Sequence, residues 1–75
     1  MKTTLRIDGN RYHIDIPEKE RFAMQRMKER LTFKSINGLV TWLLIKYEDD
    51  REFVQDFPEY VRYCIRREMK NEKNN

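Results

Sequence analysis

Residues 11–17 constrain this chain more than any others. Tyr12, Ile14 and Ile16 alternate with Arg11, His13 and Asp15, and the run leads straight into Pro17. A strand has a side-chain period of two, so the apolar three share one face and the polar three the other. Pro17 suits the first turn of a helix, where its missing N–H would be unpaired anyway, and Glu18 and Glu20 then sit at the positive end of the helix dipole. Ser35 follows, 18 positions after the proline, leading into Ile36, Asn37, Gly38, Leu39 and Val40. Its side chain can cap a second helix. The other first-turn N–H groups then point outward as an anion site.

Upstream, Thr3–Ile7 and Tyr12–Ile16 flank Asp8, Gly9, Asn10 and Arg11, and Gly-Asn between alternating segments signals a hairpin. With Gly9-Asn10 as the loop, Asp8 faces Arg11, Ile7 faces Tyr12, Arg6 faces His13, Leu5 faces Ile14, Thr4 faces Asp15 and Thr3 faces Ile16. Every apolar residue from Leu5 to Ile16 then lies on one face, and an Asp8–Arg11 charge pair closes the turn. A slip of one residue would destroy that sorting.

From Pro17 to about Leu31 the spacing predicts an amphipathic helix. Phe22, Ala23, Met24, Met27 and Leu31 form its apolar stripe, and Lys19, Gln25, Arg26, Lys28, Glu29 and Arg30 its wet side. Ile36, Leu39, Val40, Leu43, Leu44 and Tyr47 give the second helix a broad buried stripe, flanked by Trp42 and Ile45. Carboxylates at Glu48, Asp49 and Asp50 oppose the dipole and end it. Phe53, Phe57, Tyr60 and Cys64, with Val54, Val61 and Ile65 alongside, predict a third helical region over 51–70. Pro58 divides it into a short turn and a fresh helix from about 57. One small domain therefore spans 1–70, with a hairpin over 3–16 and helices over about 17–31, 35–48 and 51–70. The tail, 71–75, has nothing to bury and reads as frayed.

Seventy-five residues bury only ~60% of their unfolded surface, so an isolated core is marginal. The single cysteine, Cys64, excludes an intrachain disulfide, and His13 as the only histidine excludes a structural zinc cluster. Association is the remaining route to stability, which predicts a homodimer. The longest apolar run, Trp42–Ile45, falls far short of the ~20 residues a membrane span needs. A lone cysteine without a signal peptide fits a reducing cytoplasm. The net charge of +3 is uneven: residues 1–34 carry nine Lys/Arg against five Asp/Glu, and residues 35–57 two against five. The strand-bearing end is the basic one, which suits a polyanionic partner.

The order of alternating strand, Pro17 and Ser35-capped helix, with Ile36, Asn37, Leu39 and Val40 opening that helix, resembles the ribbon-helix-helix DNA-binding family. The resemblance covers residues 11–47. It implies an α+β, mostly helical fold: an N-terminal β-hairpin or strand, then two to three helices, in an intertwined homodimer whose paired strands enter the major groove. It implies a repressor-like transcription regulator, binding double-stranded DNA at an inverted repeat. Carried over by position, Arg11, His13 and Asp15 contact bases, while Lys34, Ser35, Ile36 and Asn37 contact phosphate. Arginine suits guanine and aspartate can accept from cytosine N4. The chain departs from the family in lacking a glycine at Thr32-Phe33-Lys34 and in adding the hairpin. A dimer that pairs both hairpins has four strands, ~19 Å across at ~4.8 Å per strand, against a groove ~12 Å wide.

Plainer readings stand beside these. His13 also reads as an exposed strand residue, Asp8 and Arg11 as a turn pair, and Cys64 as a small core residue. Arg62, Arg66 and Lys70 form one ridge of the last helix, read either as a solvated face or as a second phosphate-contacting strip. Phe53, Phe57 and Tyr60 read as core packing, or as the dock for a protein partner. That last option makes the chain an interaction module, such as an antitoxin or a phage or plasmid accessory subunit. No nucleophile stands at a plausible spacing from a base and no glycine-rich phosphate loop occurs, so neither an enzyme nor a cofactor is expected. The Lys-, Asn- and Glu-rich composition points to an AT-rich genome or a mobile element.

Overall fold

Asp8 and Gly9 both take left-handed backbone, at φ 52° and 80°, and that pair of angles sets the N-terminal third of the molecule. A two-residue type I′ loop needs positive φ at both central positions, and Asp-Gly is among its preferred sequences. In the structure, a computed structural model in which residues 2–73 are described, the loop is therefore Asp8-Gly9 and not Gly9-Asn10. Strands β1 (Lys2–Ile7) and β2 (Asn10–Asp15) pair antiparallel. The partners are Ile7 with Asn10, Arg6 with Arg11, Leu5 with Tyr12, Thr4 with His13, Thr3 with Ile14 and Lys2 with Asp15. This corrects the register expected from the sequence by two positions, so Asp8 and Arg11 are not opposed. An even shift preserves the sorting of faces. Leu5, Ile7, Ile14 and Ile16 are buried, Tyr12 is half-buried, and Lys2, Thr4, Arg6, Arg11, His13 and Asp15 are exposed.

The chain then forms α1 (Glu18–Arg30), α2 (Ile36–Lys46), a 3₁₀ turn (Glu48–Phe53) and α3 (Phe57–Lys73). Pro17 precedes α1, its carbonyl accepting from Arg21 N at 3.0 Å, and Glu18 and Glu20 occupy the first turn. The buried stripe of α1 is Glu20, Ala23, Met24 and Met27. Phe22 is not part of it: at 3.6 residues per turn it stands ~200° round from Glu20, and it is exposed. The helix ends on Thr32 at φ 60°. Thr32 N bonds to Glu29 O at 3.2 Å and Phe33 N to Lys28 O at 2.9 Å. This is a Schellman closure with threonine where glycine is usual.

Ser35 caps α2 as its sequence suggested, with extended backbone and its hydroxyl accepting from Gly38 N at 3.1 Å. Helix α2 is central, touching β1, α1 and α3, and Leu39, Val40 and Leu43 on it are buried. Ile45, on the second apolar flank of the helix, is exposed. Asp56 caps α3, accepting from Glu59 N at 3.1 Å, so Pro58 falls in the first turn, where it costs no hydrogen bond. Tyr60, Val61, Cys64 and Ile65 bring α3 into the core.

Polar pins fix α3 to the rest. Tyr60 Oη donates to Leu44 O at 2.8 Å, Tyr63 Oη to Asp50 Oδ2 at 2.6 Å, and Arg66 Nε to Glu20 Oε1 at 2.9 Å. Glu68, only 4% exposed, accepts from Lys46 Nζ at 2.8 Å and from Tyr47 Oη at 2.6 Å. The helix runs on through Asn71–Lys73, three residues the sequence placed in a frayed tail. Asn71 Nδ2 donates to Tyr47 Oη at 2.6 Å, and Glu72 pairs with Arg30. The rest of that tail, residues 74–75, lies outside the described residues.

Candidate nucleic-acid interface

Alternation along two paired strands gathers Lys2, Thr4 and Arg6 of β1 with Arg11, His13 and Asp15 of β2 on one exposed face. Arg6 stands directly opposite Arg11. Neither guanidinium has an ion pair among the described residues. Like charges across a ladder are destabilising, so the hairpin holds a concentration of positive charge that folding alone does not call for. One step along the ladder, Thr4 Oγ1 lies 3.0 Å from His13 Nδ1. With the ring proton on Nε2 the hydroxyl donates, and the outer nitrogen is left as a donor toward solvent. Asp15 stands opposite Lys2 and dilutes the charge at the far end.

The expected base-contacting residues Arg11, His13 and Asp15 are thus brought onto one face. The expected register already put Thr4 and Arg6 on this face, opposite Asp15 and His13; it missed Lys2, and that Arg6 stands against Arg11. The Asp-Gly preference for type I′ loops was the available signal, because it places Arg6 against Arg11.

The start of α2 lies beside β1. Arg6 N points away from β2 and donates to Asn37 Oδ1 at 3.1 Å. The Asn37 side chain is therefore a brace between helix and strand, and its amide is the group it can offer a ligand. Gly38 N is taken by Ser35 Oγ and Leu39 N by Ser35 O. The amides of Ile36 and Asn37 have no acceptor among the described residues. Two N–H groups and the positive end of an 11-residue helix thus face outward next to the hairpin. A cleft of about 440 Å³ opens there, bounded by Thr3 and Thr4 of β1, Phe22 of α1, and Ser35, Ile36 and Asn37. Lys34, one residue before the cap, is exposed. Lys34, Ser35, Ile36 and Asn37 are therefore contiguous, next to β1 and not β2.

Other features singled out in the sequence serve the fold. Arg66 is bound to Glu20, and Arg62 Nη1 lies 3.3 Å from Glu59 Oε1, so two members of the α3 ridge are engaged within the chain. Cys64 is a buried free thiol whose pKa burial pushes up to about 11, which leaves little nucleophilic thiolate at neutral pH. Phe53, Phe57 and Tyr60 do not form one surface. Tyr60 is buried, Phe57 is half-buried and stacks on Tyr12 with ring centroids 4.6 Å apart, and Phe53 alone is exposed, at 73%. Among the described residues no group of three His, Cys, Asp or Glu side chains could hold a metal ion. No described helix is long and apolar enough to cross a membrane.

Comparison with known protein families, with curated proteins and with solved structures finds no match to this chain.

Proposed function

We propose that this chain is a double-stranded-DNA-binding regulator of ribbon-helix-helix character, working in the cytoplasm by binding and not by catalysis. Two copies would act together on an inverted repeat, since two-fold symmetry in the protein is matched by two-fold symmetry in the site. The observation that carries the reading is the unneutralised Arg6–Arg11 pair on the exposed hairpin face. His13 lies on the same face, and the open amides of Ile36 and Asn37 are beside it. Arginine offers a bidentate match to guanine in the major groove. Lysine and helix-terminal amides suit phosphate, where most protein–DNA hydrogen bonds fall.

Alanine substitutions divide these roles. Arg11→Ala and His13→Ala should weaken binding to a preferred sequence more than to random duplex, whereas Lys34→Ala should weaken both alike. Equal affinity of all three variants for every sequence would sink the base-reading assignment. A second reading, a protein-interaction module such as an antitoxin or an accessory subunit, is favoured by the exposure of Phe53 and Ile45. A chain that captures a protein partner through those residues and ignores DNA would establish it.

A further inference from the structure

We infer that the ribbon entering the major groove is this chain's own β1–β2 hairpin, one per protomer, with Arg6 of β1 reading a base beside the one read by Arg11 of β2. The inference rests on the DNA-binding reading above, departs from the ribbon-helix-helix expectation of a ribbon shared by two protomers, and names a further residue that specifies sequence.

The register supplies the first reason. Arg6 N reaches outward to Asn37, so Arg6 and Arg11 form a pair that does not exchange backbone hydrogen bonds. Such pairs bring the two Cβ atoms to within ~5 Å of each other. Stacked base pairs are ~3.4 Å apart. Two arginines rising side by side from neighbouring strands therefore meet neighbouring base pairs, each with a fork that fits guanine O6 and N7.

Width supplies the second. A major groove ~12 Å across admits a two-stranded ribbon, and one hairpin is such a ribbon. The outer edge of β2 carries the outward N–H and C=O groups of Arg11, His13 and Asp15 and could pair with a second copy. That pairing makes a four-stranded sheet, ~19 Å wide at ~4.8 Å per strand, which cannot lie flat in the groove.

The third reason is the position of the helix terminus. The open amides of Ile36 and Asn37 stand on the β1 side, joined to the strand through the Asn37–Arg6 hydrogen bond. With one hairpin inserted, they border the ribbon at the place where a groove-wall phosphate lies. In a four-stranded sheet the two helix termini would lie outside both β1 strands, farther apart than the groove is wide.

The test starts from a duplex selected from a random-sequence pool by the unmodified protein. Affinity is measured by fluorescence anisotropy for that duplex and for each single base-pair change. The proteins compared are the unmodified chain, Arg6→Ala, Arg6→Lys and Arg11→Ala, each with its thermal unfolding recorded. Arg6→Ala should lose about ten- to a hundredfold on the selected duplex, as one bidentate base contact implies. It should also flatten the preference at one base pair, next to the pair flattened by Arg11→Ala. Arg6→Lys keeps the charge but not the fork, and should lose the same preference while retaining nonspecific affinity. An Arg6→Ala chain that binds like the unmodified protein, while Arg11→Ala loses its preference, would show that β1 stays outside the groove and overturn the inference alone. A uniform loss in Arg6→Ala with every base preference intact would make Arg6 a phosphate contact and also overturn it. An unmodified protein that selects no sequence and ignores DNA would overturn the DNA-binding reading as well.

Discussion

Arg6 and Arg11 face each other directly across the β1–β2 ladder, with no carboxylate among the described residues paired to either. Opposed like charges cost a few tenths to ~1 kcal/mol. Arg6→Ala should therefore raise the melting temperature at low salt by about 1–8 °C, given ~4–8 °C per kcal/mol in a domain of this size. The gain should shrink in 1 M salt, where charges are screened beyond ~3 Å. A stabilised protein that binds DNA more weakly is the signature of residues kept for binding. A melting temperature that falls at low salt would give Arg6 a structural role.

Thr32 offers a stabilising change unrelated to binding. Its φ of 60° costs an L-residue ~1–2 kcal/mol, whereas glycine adopts that conformation freely and loses part of the gain to its looser unfolded chain. Thr32→Gly should stabilise the protein by ~0.5–1 kcal/mol, read as an upward shift in the denaturant midpoint with an unchanged slope. A downward shift would mean that the Thr32 side chain contributes more than its backbone costs.

Glu68 ties α2 to α3 and should make the fold acid-sensitive. Burial alone would raise its carboxyl, but hydrogen bonds from Lys46 and Tyr47 outweigh burial and hold it below its ordinary value of 4.5. A carboxyl with a depressed folded pKa contributes stability above its unfolded pKa and loses it as pH falls through the folded value. Melting temperature should thus be level through neutral pH and decline below about pH 4.5. Glu68→Gln should cost ~1–3 kcal/mol at pH 7 and flatten that decline. An acid limb unchanged in the variant would place the sensitive carboxyl elsewhere.

Removal of residues 51–75 tests whether α3 is core or appendage. Val61 and Ile65 are 0% exposed, and each alone is worth ~2–5 kcal/mol against alanine by analogy with other large-to-small core changes. A chain ending at Asp50 should lose cooperative thermal unfolding. A truncated chain that still unfolds cooperatively would make α3 a detachable partner site.

The hairpin, the three helices and the Ser35 cap were legible because each follows from a local rule: period two, period 3.6, or a hydroxyl ahead of an apolar run. The hairpin register was not, because Asp8-Gly9 and Gly9-Asn10 overlap and both are turn-forming pairs. The positive φ at Asp8 decides between them. Phe22 was misplaced by hydrophobicity: its neighbours Ala23 and Met24 belong to the stripe, and one residue is 100° of helix. Glu20 entered the sequence analysis only as a first-turn carboxylate and Glu68 not at all, since their burial depends on Arg66, Lys46 and Tyr47 from other elements, which no local pattern reveals. For the candidate site, β2 and the start of α2 were readable from alternation and capping. The opposition of Arg6 to Arg11 had to wait for the register.

The most direct measurement is the affinity of the purified protein for random double-stranded DNA at a series of salt concentrations, by fluorescence anisotropy. Phosphate neutralisation by exposed basic groups such as Lys34 predicts a log–log slope of about −3 to −4, corresponding to roughly four phosphates. The slope should be shallower in Lys34→Ala. Absence of binding at low salt, or affinity that does not change with salt, would contradict a DNA-binding role for the hairpin face.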